Sequence, residues 1–240
     1  MNARAWIVLL AAVATCALTA RLGLWQLDRA AQKTTLQAVR DAQRLLPPLA
    51  TAELADAPDA AARQWYRQAV VEGIWIDAES VYLENRTMKG RSGFFVVTPL
   101  LLTGGRAVLV QRGWLPRDPR DRSAIAPHRT EAGLVRVAGR IAPTPSRLYE
   151  LGAAASGAIR QNLDLFDYAR EIRRPLLPLV IVQDDAGAAS ADGLLRQWPE
   201  PASDVHKHYG YAFQWFGLSA LVIVLYVWFQ IIRPRRRARR

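Results

Sequence analysis

The strongest constraint on the fold is an uninterrupted apolar run near the C-terminus. Residues 209–232 form a stretch of 24 residues without a charged side chain. As a helix rising about 1.5 Å per residue, this stretch would be about 36 Å long, which is enough to cross a bilayer with some tilt. Aromatic residues border it at both ends, as expected where a span meets the two interfaces. The segment is therefore predicted to be a transmembrane helix.

A second apolar run lies at the N-terminus. Residues 5–20 are uncharged, Arg21 interrupts the run, and residues 22–27 (LGLWQL) resume it. A bilayer core needs about 20 apolar residues, so this span would end with Arg21 reaching the interface and Trp25 at headgroup depth. The alternative is a cleaved signal peptide or lipoprotein leader. Because no small-x-small pattern precedes Arg21, and VATC (13–16) resembles a lipoprotein site only weakly, an uncleaved anchor is expected.

The charge distribution predicts the orientation of the two spans. The formal net charge is +11, and six arginines follow residue 232. By the positive-inside rule, both termini are then cytoplasmic and residues 28–208 lie outside the cytoplasm. That region holds 24 basic and 21 acidic side chains, which is too balanced for a nucleic-acid-binding groove, so no nucleic acid partner is expected. The predicted divisions are 1–5, 6–27, 28–208, 209–232 and 233–240.

Small residues indicate how the two spans pack. Ala12, Cys16 and Ala20 recur every four residues, and Gly217 and Ser219 are small positions on the second span. Such faces let helix backbones approach, although the first span is also simply rich in alanine. Cys16 is the only cysteine, so no disulfide can form within the chain.

The region between the spans is predicted to be mainly β. Residues 27–43 continue the first helix, and short runs rich in β-branched and aromatic residues then favour at least six strands. Gly104 and Gly105 predict a hairpin turn, and residues 162–175 predict a helix capped by Asn162. The fold class is therefore membrane α+β, a two-helix transmembrane hairpin bracketing a mainly β extracytoplasmic domain. A small antiparallel barrel with one or two helices is one such arrangement.

No enzyme signature is present. The sequence has no GxSxG, no phosphate loop before a helix and no metal-ligand spacing. Residues 112–116 (RGWLP) have a structural interpretation, with a strand end and a glycine turn, and a functional one. In the functional interpretation, Arg112 and Trp114 line a rim that recognises a partner.

The histidines at the start of the second span are the remaining chemical feature. On a helix, His206 and His208 lie about 200° apart, so they cannot face one ligand. His208 would share a face with Tyr211, Trp215, Leu218 and Val222. It is either an interfacial histidine in an aromatic belt or an axial haem ligand shielded by that face, with no other metal site expected. In the second case, the charge of the haem propionates would be offset by Arg29 and Lys33, which share one helical face with Gln26.

Three segments together resemble the Surfeit-locus-one family. The N-terminal signature of the family matches residues 22–33, at Gly23, Trp25, Gln26, Arg29 and Lys33. The central signature, Thr-Pro-Leu followed by Arg-Gly-Trp-x-Pro, matches residues 98–116. The C-terminal signature, a histidine followed by Tyr-Ala-x-x-Trp-Phe, matches residues 208–218. Family members often have asparagine before the histidine, where this chain has Lys207, but the spacing to Tyr211 favours His208.

The resemblance implies an assembly factor for haem-copper cytochrome oxidase, without catalytic turnover, that helps bring haem a to the catalytic subunit. It implies His208 as the haem ligand. We further hypothesise that Tyr211 and Trp215 cover the ring and that Arg29 or Lys33 offsets the propionate charge. Trp25, Gln26, Arg112 and Trp114 would bind partners. Those partners are the catalytic subunit, membrane lipid and a haem a synthase. Arginine outnumbers lysine 29 to 3, which favours a GC-rich genome and the bacterial plasma membrane. A scaffold that never binds haem is the alternative.

Overall fold

The computed structural model describes residues 3–121, 124–149, 157–185, 192–198 and 204–237. The chain divides into two compact units. The helical unit comprises Met1–Val39 and Pro201–Arg240, and the barrel unit comprises Arg40–Glu200. Each unit is described separately below.

The helices begin and end as follows: α1 (Ala3–Arg44), α2 (Pro58–Ala62), α3 (Leu165–Glu171), α4 (Val205–Tyr226) and α5 (Arg233–Arg237). A π-helical segment, Val227–Ile232, joins α4 to α5. Two helical stretches, Ala3–Arg44 and Val205–Arg236, are long and apolar enough to cross a membrane. The predicted continuation of the first helix to residue 43 is confirmed, because α1 runs without a break to Arg44.

The two helices of the helical unit pack along a regular seam. Positions of reduced exposure recur at alternating intervals of four and three residues, namely Ala5, Leu9, Ala12, Cys16, Thr19, Gly23 and Gln26 on α1, and His208, Ala212, Trp215, Ser219, Val222 and Tyr226 on α4. A mean spacing of 3.5 residues keeps one face toward a partner helix along its whole length, as in a left-handed coiled coil. The seam is therefore encoded by a heptad pattern of mostly small residues.

Hydrogen bonds cross this seam at its centre. The hydroxyls of Thr19 and Ser219 are bonded to each other, and Ser219 Oγ also donates to the backbone oxygen of Cys16 at 3.3 Å. Cys16 and Ser219 thus lie where the small-residue pattern predicted. Gly217 does not, since, apart from its neighbours and its own helix backbone, no atom of the described residues lies within 4 Å of a Cβ built there. Gly217 is two residues from Ser219, which on a helix places it on another face.

Eight strands form the sheet of the barrel unit: β1 (Leu49–Ala50), β2 (Gln68–Trp75), β3 (Val81–Met88), β4 (Arg91–Leu102), β5 (Ala107–Pro116), β6 (Leu134–Ala142), β7 (Ile159–Arg160) and β8 (Leu176–Gln183). Their order is β1-β2-β6-β8-β5-β4-β3-β7, and an additional β2–β4 pairing closes β2, β6, β8, β5 and β4 into a five-stranded barrel. The expected mainly β domain with a barrel is confirmed. The barrel is not purely antiparallel, because β5 and β8 pair in parallel.

Apolar side chains fill the barrel and cover one outer side. Strands β2 and β6 bury alternate residues, as a half-exposed strand should. Their inward residues, including Val71, Val137 and Ile141, join one core cluster. A second cluster, with Phe95, Trp114 and residues of α3, packs outside the barrel. Strand β4 contributes to both clusters and is therefore buried along most of its length.

Two local predictions have different outcomes. The hairpin at Gly104 and Gly105 is confirmed, since both have positive φ (108° and 81°) between β4 and β5. The helix within residues 162–175 is present, but the predicted cap is wrong. Asp164 caps α3 by accepting from the backbone N–H groups of Phe166 and Asp167 at 2.9 and 3.2 Å. Asn162 lies two residues before this cap and instead bonds both backbone groups of Leu148.

The glycine turn predicted at Gly113 is also wrong. Strand β5 continues through Gly113 to Pro116. The register shifts there, because Val96 lies opposite Gly113 while Val97 lies opposite Gln111. Arg112 is therefore the extra residue of a β-bulge, which bends a strand without ending it. Gly113 is needed for space, since a Cβ would lie 2.5 Å from Cβ of Leu194.

Candidate functional site

The first turns of α4 hold the predicted ligand histidine against α1. The helix follows Asp204, whose side chain pairs with Lys207 at 3.0 Å. His208 is then the first seam residue of α4, and its side chain is half-buried. Its Nδ1 lies 2.7 Å from Oε1 of Gln26 on α1. The two residues are 182 positions apart in sequence, and the pairing of the helices brings them together.

The orientation of the Gln26 amide bears on the state of the imidazole. With its oxygen toward the ring, the amide can only accept there, so Nδ1 would be the donor and carry the ring proton. In a neutral ring, the other nitrogen, Nε2, then keeps its lone pair. Histidines that bind metals through one nitrogen usually donate the other N–H to a fixed acceptor. His208 has such an acceptor in Oε1 of Gln26.

The residues predicted to share a helical face with His208 do not all lie on the helix seam. Trp215 lies on the seam two turns further along α4 and is half-buried. Tyr211 and Leu218 are off the seam, 52% and 45% exposed. The seam instead places Ala212, which is 2% exposed, between His208 and Trp215. The spacing of Tyr211 from His208 permitted a common face, but the packing of α1 selects a narrower one.

The two predicted cations follow Gln26 along α1. Arg29 and Lys33 are exposed, one and two turns beyond it. The guanidinium of Arg29 lies over the ring of Trp25, 5.7 Å from its centroid, and donates to Oε1 of Gln32 at 3.2 Å. Neither cation forms an ion pair with another residue in the parts of the chain described above. Both remain available to an anionic group.

The structure separates the residues predicted to bind partners. Trp25 is 49% exposed on the outside of α1 and can meet a partner or lipid. The amide of Gln26 is occupied by His208. In the barrel unit, Arg112 is 2% and Trp114 1% exposed, so this pair forms no exposed rim. The partner roles remain predictions, and the burial of Arg112 and Trp114 favours their structural interpretation.

Arg112 connects three segments of the barrel unit. Its Nη1 donates to Thr130 Oγ1 at 2.8 Å, and its Nη2 donates to the backbone oxygen of Arg129 at 3.0 Å. Carboxylates of Asp77 and Asp192 lie 3.7 and 3.9 Å away. Burial is the main cause that lowers the pKa of Arg112, and these carboxylates oppose it. The bulge in β5 thus directs a charged side chain into a structural network.

A buried network around Trp114 and Arg86 was not predicted from the sequence. Trp114 donates from Nε1 to the backbone oxygen of Arg86 at 2.9 Å. Arg86 donates to the backbone oxygens of Glu84, Ser146 and Gln161 at 2.7 to 2.9 Å. Burial lowers the pKa of Arg86 to about 10. An arginine within a strand run gives no sequence signal for such partners, because carbonyl groups occur at every residue.

The other histidines do not join the site. His206 is exposed on α4, and His128 belongs to the barrel unit, with its ring edge-on to Tyr82 at 5.8 Å. Across the described residues, no group of three or more histidine, cysteine or acidic side chains could hold a metal ion. His208 lies on the helix seam, whereas His206 does not, and the role of His208 as a ligand remains a prediction.

Two apolar helices flanking a β-rich domain with a closed five-stranded barrel fit a two-pass membrane protein. The sequence profile of the SURF1 family matches residues 13–220, and the chain belongs to this family. A SURF1-like protein of Rickettsia felis is 26% identical over 215 residues. This match covers 86% of this chain and 89% of the Rickettsia protein. The cytochrome oxidase assembly protein SHY1 of Saccharomyces cerevisiae is 29% identical over 98 residues, covering 40% of this chain and 25% of its own. The resemblance to the Surfeit-locus-one family is thereby confirmed.

Proposed function

We propose that this protein is an assembly factor for haem-copper cytochrome oxidase and helps deliver haem a to the catalytic subunit. Family membership and the oxidase-assembly role named for the yeast relative support the oxidase as client. The observation that carries the finer proposal is the Gln26–His208 hydrogen bond, which leaves Nε2 of a half-buried histidine at the end of an apolar helix. No catalytic turnover is needed for this role.

The residues of the helical unit fit a haem on three chemical counts. The neutral imidazole of His208 would supply a nitrogen ligand, since haem iron commonly takes histidine as a ligand. Apolar surfaces of α1 and α4 suit a largely hydrophobic macrocycle, and the exposed Tyr211 lies one turn from His208. Arg29 and Lys33 can neutralise carboxylates at the membrane surface. A bound haem would be the cargo that this protein passes on, and not a resident cofactor.

The proposed orientation follows from charge and length. The C-terminal arginines occupy the cytoplasmic side of a bacterial plasma membrane, both termini are cytoplasmic, and the barrel unit is outside. In this orientation, His208 at the start of the second span lies near the outer leaflet. The proposed partners are the catalytic subunit of the oxidase, membrane lipid and a haem a synthase.

Replacing His208 by alanine tests haem delivery. Cells with His208→Ala are expected to make the catalytic subunit at normal level but with strongly reduced haem a. The matched control is His206→Ala, because His206 is exposed and lies on another face of the same helix. Haem a is measured by extraction and absorbance, and subunit level by immunoblot.

The second candidate function is a scaffold that stabilises the catalytic subunit without binding haem. The size of the barrel unit favours a scaffold, because haem binding as proposed here uses only residues of the helical unit. A scaffold predicts that His208→Ala leaves haem a unchanged, while removal of the whole protein lowers the amount of the subunit. Normal haem a in the His208→Ala strain would therefore contradict delivery and support the scaffold.

A further inference from the structure

We propose that Gln26 is a positioning residue that fixes the Nδ1–H tautomer of His208 and so presents Nε2 to an electron-pair acceptor. This inference deepens the proposed function and rests on it for the identity of the acceptor, a haem iron. It also reassigns Gln26, whose sequence context suggested a residue that binds a partner protein. The amide is instead directed at the imidazole across the helix seam, at 2.7 Å.

The seam holds Gln26 in place. On α1, Gly23 is buried one turn away, and Gln26 continues the same heptad face. On α4, the facing positions are His208 and the nearly fully buried Ala212. Small neighbours allow the two backbones to approach closely enough for a glutamine to reach the imidazole. The amide therefore has a defined direction, which a side chain on the exposed face would lack.

The hydrogen bond also gives the imidazole N–H and the amide oxygen a partner at a half-buried position. A polar group left unpaired near an apolar span costs free energy, and interhelical hydrogen bonds remove this cost. The neighbouring cation does not compete with Nδ1–H for the amide oxygen of Gln26, because Arg29 lies over Trp25 and donates to Gln32. Gln26 is the acceptor that the fold supplies to His208.

An amide differs from the carboxylate partner of many metal-binding histidines. A carboxylate acceptor draws the ring proton toward itself and makes the other nitrogen more basic. A neutral amide orients the imidazole in the same way but raises the basicity of the other nitrogen less. The arrangement therefore suits a ligand that holds iron and then releases it. Gln26→Glu is expected to tighten binding, whereas Gln26→Leu removes the orientation.

The tautomer can be tested without any haem. The full-length protein, labelled with 15N-histidine in nanodiscs, should show the Nδ1–H form for His208 in the wild type. Gln26→Leu should lose this form, while the signals of His128 and His206 stay unchanged and report an intact fold. Gln214→Leu is the matched control, since Gln214 is an exposed glutamine of α4 that lies off the seam. A wild-type His208 in the Nε2–H form would overturn the proposal.

Haemin binding to the same nanodiscs then tests the consequence. We expect Gln26→Leu to weaken the affinity about 10- to 100-fold, as for other outer-shell partners of ligating histidines. Gln26→Glu should bind more tightly and lower the haem reduction potential. If His208→Ala binds haemin as the wild type does, the proposed function fails, whatever the tautomer. If His208→Ala loses binding but Gln26→Leu does not, only the role of Gln26 fails.

Discussion

Gly23 of α1 lies directly against the phenyl ring of Phe216 on α4. A Cβ at position 23 would lie 2.8 Å from both Cε1 and Cζ of this ring. Such a distance is shorter than any ordinary carbon–carbon contact, so a larger residue must displace the ring or separate the helices. The packing of this ring against α1 therefore depends on a glycine that also belongs to the family signature, beside Trp25 and Gln26.

The first prediction concerns this contact. Gly23→Leu is expected to destabilise the helical unit by about 1–3 kcal/mol, because overpacking forces side chains and backbones to move. The control is Gly217→Leu, since nothing lies within 4 Å of a Cβ at Gly217. Thermal unfolding of the purified protein in micelles measures both variants. Equal losses at the two positions would show that the seam does not involve Gly23.

The second prediction concerns the buried arginine of the barrel unit. Arg112→Met keeps a long apolar stem but removes the guanidinium that bonds Thr130 and Arg129. We expect a loss of about 3 kcal/mol, the low end for breaking a buried ion pair, because Asp77 remains partly solvated. Arg106→Met is the control, since the Arg106–Asp56 pair is exposed and should contribute less than about 1 kcal/mol. Denaturant titration reports both. A near-neutral Arg112→Met would contradict the structural role.

The third prediction concerns pH. The bidentate hydrogen bond from Arg160 is the main cause that lowers the pKa of Glu171. A lowered folded-state pKa gives stability that is present above the ordinary carboxyl pKa and is lost as the pH falls through the folded value. Glu171→Gln should therefore destabilise the protein at neutral pH and have little effect in acid below that range. The effect should be small because the Glu171 side chain is 46% exposed.

Unfolding curves of Glu171→Gln at several pH values test this dependence. Asp167→Asn is a suitable comparison, since its ion pair with Arg170 is largely exposed on both sides. A destabilisation by Glu171→Gln that stays constant from neutral to acid pH would refute the electrostatic origin.

The fourth prediction concerns orientation in the membrane. In a Cys16→Ala background, Asp59→Cys places a thiol on the barrel unit and Arg235→Cys places one beyond the second span, and both positions are exposed. A maleimide that does not cross membranes should label position 59 but not position 235 in intact spheroplasts. Both should react after lysis. Labelling of position 235 before lysis would reverse the proposed orientation.

The sequence predicted well wherever the information is local. Apolar length identified both spans, two glycines identified the β4–β5 hairpin, and β-rich runs identified a mainly β domain. Prediction from the sequence failed where contacts with other segments of the chain decide the structure. Asn162 and Asp164 are both capping residue types, and only the start of α3 selects Asp164. Gly113 permits a turn or a close approach, and the presence of Leu194 beside it decides for the second.

For the candidate site, the sequence by itself determined that His208 lies at the start of an apolar helix and that Gln26, Arg29 and Lys33 follow one another on α1. Helical spacing fixes such relations within a single element. The tertiary structure alone decided that Gln26 faces His208, that Tyr211 lies off the seam and that Arg112 is buried. These facts depend on which surfaces meet. Local periodicity sets which residues share a face, but packing between distant segments sets what that face contacts.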